Sequence, residues 1–89
     1  MKYVLFYTPA EDVMEKAPLH FPAHQSRIGQ FHDRGDILMV GTFGDPVNQG
    51  SMAIFPTRES AEAFVAGDPF VLEGVVRSYE IREWDEVLS

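Results

Sequence analysis

Three histidines and two Asp-Pro pairs are the residues of this 89-residue chain whose types and positions could support chemistry. His24 shares a stripe with Ile28 and Phe31 at the i, i+4, i+7 spacing of one helical face, so its ring is expected to point inward. A histidine ring can take up and return a proton near neutral pH. His24 is therefore a candidate general base, and the alternative is a core histidine bonded to a backbone carbonyl.

The spacing of the other two histidines gives weaker evidence for a functional site than that of His24. His20 precedes the predicted helix and could line the same opening as His24, whereas His32 lies off the stripe and is expected to be solvated. His20 and His24 are four residues apart, but Pro22 stands between them, so a shared helical face is not assumed. No Glu falls at ligand spacing beside either ring, and the chain has no cysteine. We therefore expect no metal site.

Asp68 is the carboxylate with the most distinctive setting, because Gly67-Asp68-Pro69-Phe70 ends one helix and begins a further turn. A role as helix N-cap, with Pro69 at the first helical position, would alone explain these residue types. Asp45-Pro46 repeats the pattern and is expected to form only a turn. Ser51 lacks the GxSxG context of a nucleophile, although its hydroxyl could donate a hydrogen bond into a pocket. No glycine motif for phosphates is present, so no cofactor is expected.

Length and composition indicate one globular domain over residues 1–89, with 45% hydrophobic and 24% charged residues. The net charge is −7 and the seven Lys and Arg residues are dispersed, which argues against nucleic acid. No apolar run is long enough to cross a membrane. The apolar start of the chain is too short for a signal peptide and is expected to be a strand, so a cytoplasmic location is expected.

Strand and helix signals alternate in the order β-α-β-β-α-β. Residues 10–20 are ambiguous, with one helical turn around Ala10–Lys16 and a break expected at Pro18. Pro22 suits the first position of a helix and Gly35 supplies its stop. The predicted elements are strands at 2–8, 37–43, 51–55 and 75–83, helices at 22–34 and, capped by Thr57, at 58–66, and a short turn at 69–73.

This order is typical of the ferredoxin-like α+β fold, in which two helices cover one face of an antiparallel sheet. The first three strands are apolar on both faces, as in the alternating sets Tyr3, Leu5, Tyr7 and Val4, Phe6. A bare apolar sheet face would be larger than the patches that monomers usually expose. We therefore expect a homodimer that packs sheet on sheet as a dimeric α+β barrel.

Four segments, in this order and spacing, resemble the YciI-like (YCII-related) family: Phe21–His24, Arg34–Gly41, Gly50–Phe55 and Gly67–Phe70. The resemblance extends over nearly the whole chain. It implies a ferredoxin-like dimer related to muconolactone isomerases and to dehydrochlorinases. It also implies that His24 and Asp68, although 44 positions apart, meet as a catalytic pair.

By this resemblance, Asp68 would accept a hydrogen bond from one ring nitrogen of His24, and the other nitrogen would abstract a proton from a small ring substrate. His20, Phe43, Ser51 and Phe70 are the expected walls and polar contacts of the pocket. The resulting hypothesis is a cofactor-free lyase or isomerase, similar to a dehydrochlorinase or a lactone isomerase. The alternative is a non-enzymatic small-molecule-binding or accessory protein of the same fold.

Overall fold

The four strands of the protein form one antiparallel sheet in the order β2-β3-β1-β4. The computed structural model describes residues 1–89. The strands are β1 (Lys2–Pro9), β2 (Met39–Thr42), β3 (Ser51–Phe55) and β4 (Val76–Trp84). This is the predicted ferredoxin-like topology, in which the first strand lies between the third and the fourth.

Four helices connect these strands: α1 (Val13–Asp33), α2 (Pro46–Gln49), α3 (Arg58–Gly67) and α4 (Pro69–Leu72). Thr57 caps α3 as predicted, since its hydroxyl oxygen accepts a hydrogen bond of 3.0 Å from the backbone N–H of Ser60. The short helix α2 begins at Pro46, where the Asp45-Pro46 pair was expected to form only a turn. Asp45 precedes it and accepts a 2.7 Å hydrogen bond from the side chain of Asn48.

The prediction that the first helix begins at Pro22, after a break at Pro18, is wrong. α1 starts at Val13 and continues through both prolines, although each removes one backbone hydrogen bond and costs about 3 kcal/mol in a helix interior. The half-buried and buried positions of α1 include 13, 17, 20, 24, 28 and 31, which form one uninterrupted helical stripe. Packing of this stripe offsets the cost of the prolines. Because the helix is unbroken, His20 and His24 lie on one face of α1.

The other boundaries lie close to those predicted. β3 has the predicted limits, while α3 is one residue longer and β4 begins and ends one residue later. β2 is shorter than the predicted segment 37–43. Ile37 is 1% exposed and belongs to the core, and pairing begins at Leu38, whose N–H donates to the carbonyl of Ile54 at 2.8 Å.

The hydrophobic core lies between the sheet and the helices. Phe64 of α3 is central to it, because its ring makes an edge contact with Phe31 of α1 at 5.2 Å and lies 5.6 Å from Phe55 of β3. Ten buried residues form the core cluster: Leu5, Tyr7, Phe31, Ile37, Ala53, Phe55, Ala61, Phe64, Val65 and Val76.

The opposite face of the sheet carries no helix. Val4 and Phe6 of β1 lie beside Ile54 and Met52 of β3 on this face, so β1 and β3 are apolar on both sides as predicted. Along β4 the same face is polar, with Glu80 opposite Phe6 and Arg82 opposite Val4. The apolar part of this face, here called the outer face, therefore lies over β1 and β3.

α1 is the only helix long enough to reach across a bilayer, and its residues are not apolar enough for it to do so.

Gly50 is required at the start of β3 by both its backbone angle and its neighbours. Its φ is +79°, and a Cβ atom there would lie 2.0 Å from the carbonyl oxygen of Tyr7. We predict that Gly50→Ala lowers the free energy of unfolding by about 2 kcal/mol or more, because the strained angle and the clash cannot be relieved together. Urea denaturation measures the change.

Gly44 supplies the matched control, because a Cβ there meets no atom within 4 Å. Gly44→Ala is expected to leave the stability unchanged or to raise it by up to about 1 kcal/mol. Equal urea midpoints for the two variants would contradict the role assigned to Gly50.

Candidate active site

Asp68 carries a fully buried carboxylate, with 0% of the residue exposed. Three donors converge on it from three parts of the fold. The Tyr7 hydroxyl donates to Oδ2 at 2.5 Å, while the backbone N–H of Phe70 donates to Oδ1 at 3.2 Å. Nδ1 of His24 lies 2.7 Å from the same Oδ1 atom. A buried charge is costly unless such partners surround it, and this set suits the ionised carboxylate.

The helix-cap role and the histidine contact of Asp68 coexist. The residue ends α3 and caps α4, with Pro69 following at the first helical position as predicted. Its cap bond to Phe70 uses one lone pair of Oδ1, and the imidazole approaches the same oxygen. The cap holds the carboxylate in a fixed orientation towards α1, because α4 begins directly from it.

His24 projects from the middle of α1 towards the junction of α3 and α4, and its side chain is only 12% exposed. One face of its ring stacks on Phe70, with the ring centroids 3.8 Å apart and the planes 3° from parallel. Because ionised Asp68 can only accept, the geometry assigns the proton to Nδ1 and the free lone pair to Nε2. Nε2 makes no hydrogen bond, and no buried side-chain nitrogen lacks one, so Nε2 stays in contact with solvent.

Tyr7 is part of this network and was not identified from the sequence. It is 7% exposed, and burial, followed by the hydrogen bond to Asp68 and the charge of Asp68, raises the pKa of its hydroxyl far above the ordinary value of 10.0. The phenol therefore remains a hydrogen-bond donor. The available signal was the inward-facing set Tyr3, Leu5, Tyr7, since a buried tyrosine hydroxyl needs a polar partner.

Arg27 fixes α1 against the end of α3, one turn beyond His24. Its guanidinium donates to the carbonyl oxygens of Ala63 at 2.8 Å and Phe64 at 3.2 Å. A Cβ atom at Gly67 would come within 2.6 Å of the same guanidinium, so only glycine allows this close approach. Arg27 thereby holds the backbone that leads into Asp68, a role that spacing alone did not indicate.

Two cavities adjoin the network. The large cavity, of about 620 Å³, lies between the first half of α1, the segment around α2, and the ends of β1 and β4. Phe70 and Tyr7 line it, while His24 does not. The small cavity, of about 20 Å³, is bordered by His24 and has room for about one water molecule. Tyr7 and Ser51 line both cavities and so form the wall between them.

The structure brings together some of the residues expected at the site and separates others. His24, Asp68 and Phe70 are in direct contact, and Ser51 borders both cavities. His20 and Phe43 line neither cavity. His20 lies one turn before His24 on α1, and Phe43 lies beyond the end of β2. No group of three or more His, Cys, Asp or Glu residues is placed to hold a metal ion.

The burial of Tyr7 makes the free energy of unfolding fall at alkaline pH. The unfolded phenol ionises near pH 10, whereas the folded phenol stays protonated, so its contribution is complete below about pH 10 and is lost as the pH rises above that value. We predict that the free energy of unfolding falls by about 1.4 kcal/mol per pH unit above pH 10 from this group alone. Tyr7→Phe should remove that part of the slope.

Urea unfolding of both proteins between pH 9 and 11 measures the two slopes. The Tyr7→Phe protein is expected to be less stable at pH 8, because one oxygen of buried Asp68 loses its donor. Only the difference in slope tests the prediction. Parallel curves for the two proteins above pH 10 would show that the phenol ionises equally in the folded and unfolded states.

Comparison with known proteins shows the family of the chain by sequence and its fold by structure. The family model for the YCII-related domain matches residues 1–85. Protein YciI of Escherichia coli O6:H1 and that of Shigella flexneri are each 30% identical, over 98% of this chain and 99% of theirs. A solved structure of 5-chloro-2-hydroxyhydroquinone dehydrochlorinase from Burkholderia phenoliruptrix, with bound 2,5-dihydroxybenzoquinone, superposes with a TM-score of 0.74 at 18% identity, covering 96% of this chain and 94% of that one. The chain belongs to the family of YCII-related domain proteins.

Proposed function

We propose that this protein is a cofactor-free lyase or isomerase in which His24 acts as a general base on a small ring substrate. The observation that carries the proposal is the imidazole itself. Its Nδ1 is held by the buried carboxylate of Asp68, while Nε2 has no protein partner and stays in contact with solvent. A histidine oriented by a carboxylate, with one nitrogen free, is the arrangement that proton abstraction requires.

In the proposed reaction, Nε2 takes a proton from a carbon or oxygen atom of the substrate, and the electron pair of the broken bond forms a new double bond. In an elimination, the pair from a C–H bond forms the double bond while a leaving group such as chloride departs from the neighbouring carbon with its electrons, and the imidazolium then gives its proton to solvent. In an isomerisation, His24 returns the proton to a different atom. Asp68 stabilises the imidazolium that exists between these steps, and Tyr7 and Phe70 hold Asp68 in place through their hydrogen bonds.

The two cavities suggest how a substrate would be held. The large cavity, with a volume of about 620 Å³, lies in the range of small-molecule sites. A ring in this cavity would lie against Phe70, and only a group about the size of a hydroxyl would fit into the small cavity beside His24, which Tyr7 and Ser51 border on both sides. The structural neighbour that removes chloride from a hydroxylated ring supports an elimination on this fold.

The second candidate function is ligand binding without catalysis. One observation favours it: neither His24 nor Asp68 lines the large cavity, so a ligand could be held there without meeting the base. The stacking of His24 on Phe70 at 3.8 Å would then be a packing feature of the core. Turnover separates the two functions, because a binding protein would retain its ligand unchanged.

A chlorinated hydroxyhydroquinone is the first substrate to test, with chloride release as the measurement. We predict that the wild-type protein releases chloride and that His24→Asn lowers kcat/KM by about 10²–10⁴-fold, since the general base is lost. Asp68→Asn should also lower kcat while the α4 cap persists, because Asn caps helices about as well as Asp.

His32→Asn is the matched control, because His32 lies on the same helix but is exposed and outside the network. It should keep the wild-type rate. Chloride release that survives His24→Asn would contradict the role of His24. A folded wild-type protein that binds the compound and releases no chloride would instead favour the binding function.

We also propose that two copies of the chain pack through their outer faces. Phe6, Met52 and Ile54 are half-buried in the middle of that face beside buried Val4, and no helix covers them. A second copy is a fitting cover, because a two-fold axis matches an apolar centre with an apolar centre. The guanidinium of Arg82, 6.0 Å from the Phe6 ring, could then pair with Glu80 of the other copy at the rim.

This arrangement predicts a particle of twice the 10.0 kDa chain mass in light scattering at micromolar concentration. Phe6→Glu should produce a monomer, because the new carboxylate would be buried against the other copy. Leu72→Glu is the control, since Leu72 is 63% exposed on α4, away from the sheet, and should leave the mass unchanged. A wild-type monomer at these concentrations would contradict the proposal.

A further inference from the structure

The large cavity has a wall without charge, which restricts what it can bind. Sixteen residues line it, and none is Lys, Arg, His, Asp or Glu. Its polar side chains are the hydroxyls of Tyr7, Thr42 and Ser51, and the Tyr7 hydroxyl already donates to Asp68. An ionised ligand would therefore lose its hydration without gaining a charged partner, which is costly in an apolar site.

The wall is also poor in backbone donors. Four of the six prolines in the chain line the cavity, namely Pro9, Pro18, Pro22 and Pro46. Proline has no N–H group, so these stretches of backbone offer a ligand no hydrogen to donate. Anions are usually held by N–H donors, and these four positions of the wall supply none.

The same prolines leave acceptors beside the cavity. Met14, Pro18 and Pro22 follow one another at intervals of four residues along α1, and all three line the cavity. In a helix the carbonyls of residues 14 and 18 would accept from the N–H groups of residues 18 and 22, which are proline here. The carbonyl oxygens of residues 14 and 18 thus have no N–H donor four residues ahead, in the stretch of α1 that lines the cavity. A neutral hydroxyl group could donate to them.

Two cations of α1 are engaged elsewhere. Arg27 donates to the carbonyls at the end of α3, and Lys16 pairs with Asp12 at 3.2 Å; neither lines the cavity. The buried charge of Asp68 lies just behind Tyr7, and the whole chain carries a net charge of −7. Both electrostatic contributions oppose an anion in the large cavity.

We propose that the large cavity binds a neutral, mostly apolar ring compound that bears hydroxyl groups, and that it rejects carboxylates of the same size. This inference names the substrate class of the proposed enzyme and to that extent rests on the proposed function. The site itself follows from the uncharged proline-rich wall, so binding can be measured without any turnover.

Two probes built on the same methylated ring test the charge preference, namely 4-methylphenol and 4-methylbenzoate at neutral pH. Neutral 4-methylbenzamide, which has the size and shape of the carboxylate, is the control for size and should bind more tightly than 4-methylbenzoate. Titrated into ¹⁵N-labelled protein, 4-methylphenol should shift the amide signals of Ala17, Val47 and Val75, which line the cavity. Its Kd should be at least about tenfold lower than that of 4-methylbenzoate. Equal or tighter binding of the carboxylate, or shifts that avoid these amides, would overturn the inference.

Met14→Lys places a cation at the mouth of the cavity, because Met14 lines it and is 69% exposed. This variant should bind 4-methylbenzoate at least about tenfold more tightly than the wild type. Leu19→Lys is the matched control: it makes the same charge change on the same helix, but Leu19 does not line the cavity. An equal gain in both variants would mean that net charge, and not the cavity, governs binding.

Comparing binding with turnover in the wild-type protein separates this inference from the proposed function. The two probes carry no leaving group, so their Kd values report on the cavity alone, whereas chloride release reports on the proposed role of His24. Selective binding of the neutral probe by a protein without turnover would support the cavity and contradict the enzyme. Turnover by a protein that prefers the carboxylate probe would support the enzyme and overturn the assignment of the cavity.

Discussion

The buried carboxylate of Asp68 is the constraint on which the arrangement of the other elements depends. A carboxylate with no exposed surface is tolerable only when donors surround it, and its donors come from β1, α1 and the first turn of α4. Tyr7 therefore fixes the sheet, and His24 fixes α1, relative to the same two oxygen atoms. Loss of any donor would leave part of a charge unpaired in the core. A polar group thus fixes the positions of the helices relative to the sheet, within an otherwise apolar interface.

Structural and chemical roles are combined in this network. The bond from His24 to Asp68 anchors α1, and the same bond assigns the proton to Nδ1 and leaves Nε2 as a base. Phe70 donates its N–H to Asp68 and stacks on the imidazole of His24, so it restricts both members of the pair. Tyr7 donates to the second oxygen and keeps its proton because it is buried. The proposed proton transfer would need little rearrangement of a site built in this way.

The protein has apolar surface in two separate places, a sheet face and a concave cavity, and a different kind of partner fits each. The outer face of the sheet carries the apolar residues of β1 and β3, with charged residues on β4 at its border. The large cavity is concave, uncharged and lined by four prolines. A chain of 89 residues buries a limited part of its surface by itself, so cover from a partner or a ligand would add to its stability. The proposed packing of sheet on sheet would cover the first surface, and the proposed ring compound would occupy the second.

The sequence by itself determined the order of strands and helices, the limits of β3, the Thr57 cap and the Asp-Pro start of α4, because these follow from local periodicity and turn chemistry. The inward direction of His24 also followed from its helical spacing. Its encounter with Asp68 came only from the family resemblance, since the two residues are 44 positions apart.

Tertiary structure decided the rest. α1 continues through Pro18 and Pro22 because packing along its whole inner stripe outweighs two missing hydrogen bonds, a balance that local propensity does not contain. Tyr7 and Arg27 joined the site because folding brought distant acceptors to them. The separation of His24 from the large cavity arises from the stacked ring of Phe70 and from the wall of Tyr7 and Ser51. Contacts of this kind depend on the packing of several elements at once, and no spacing along the chain specifies them.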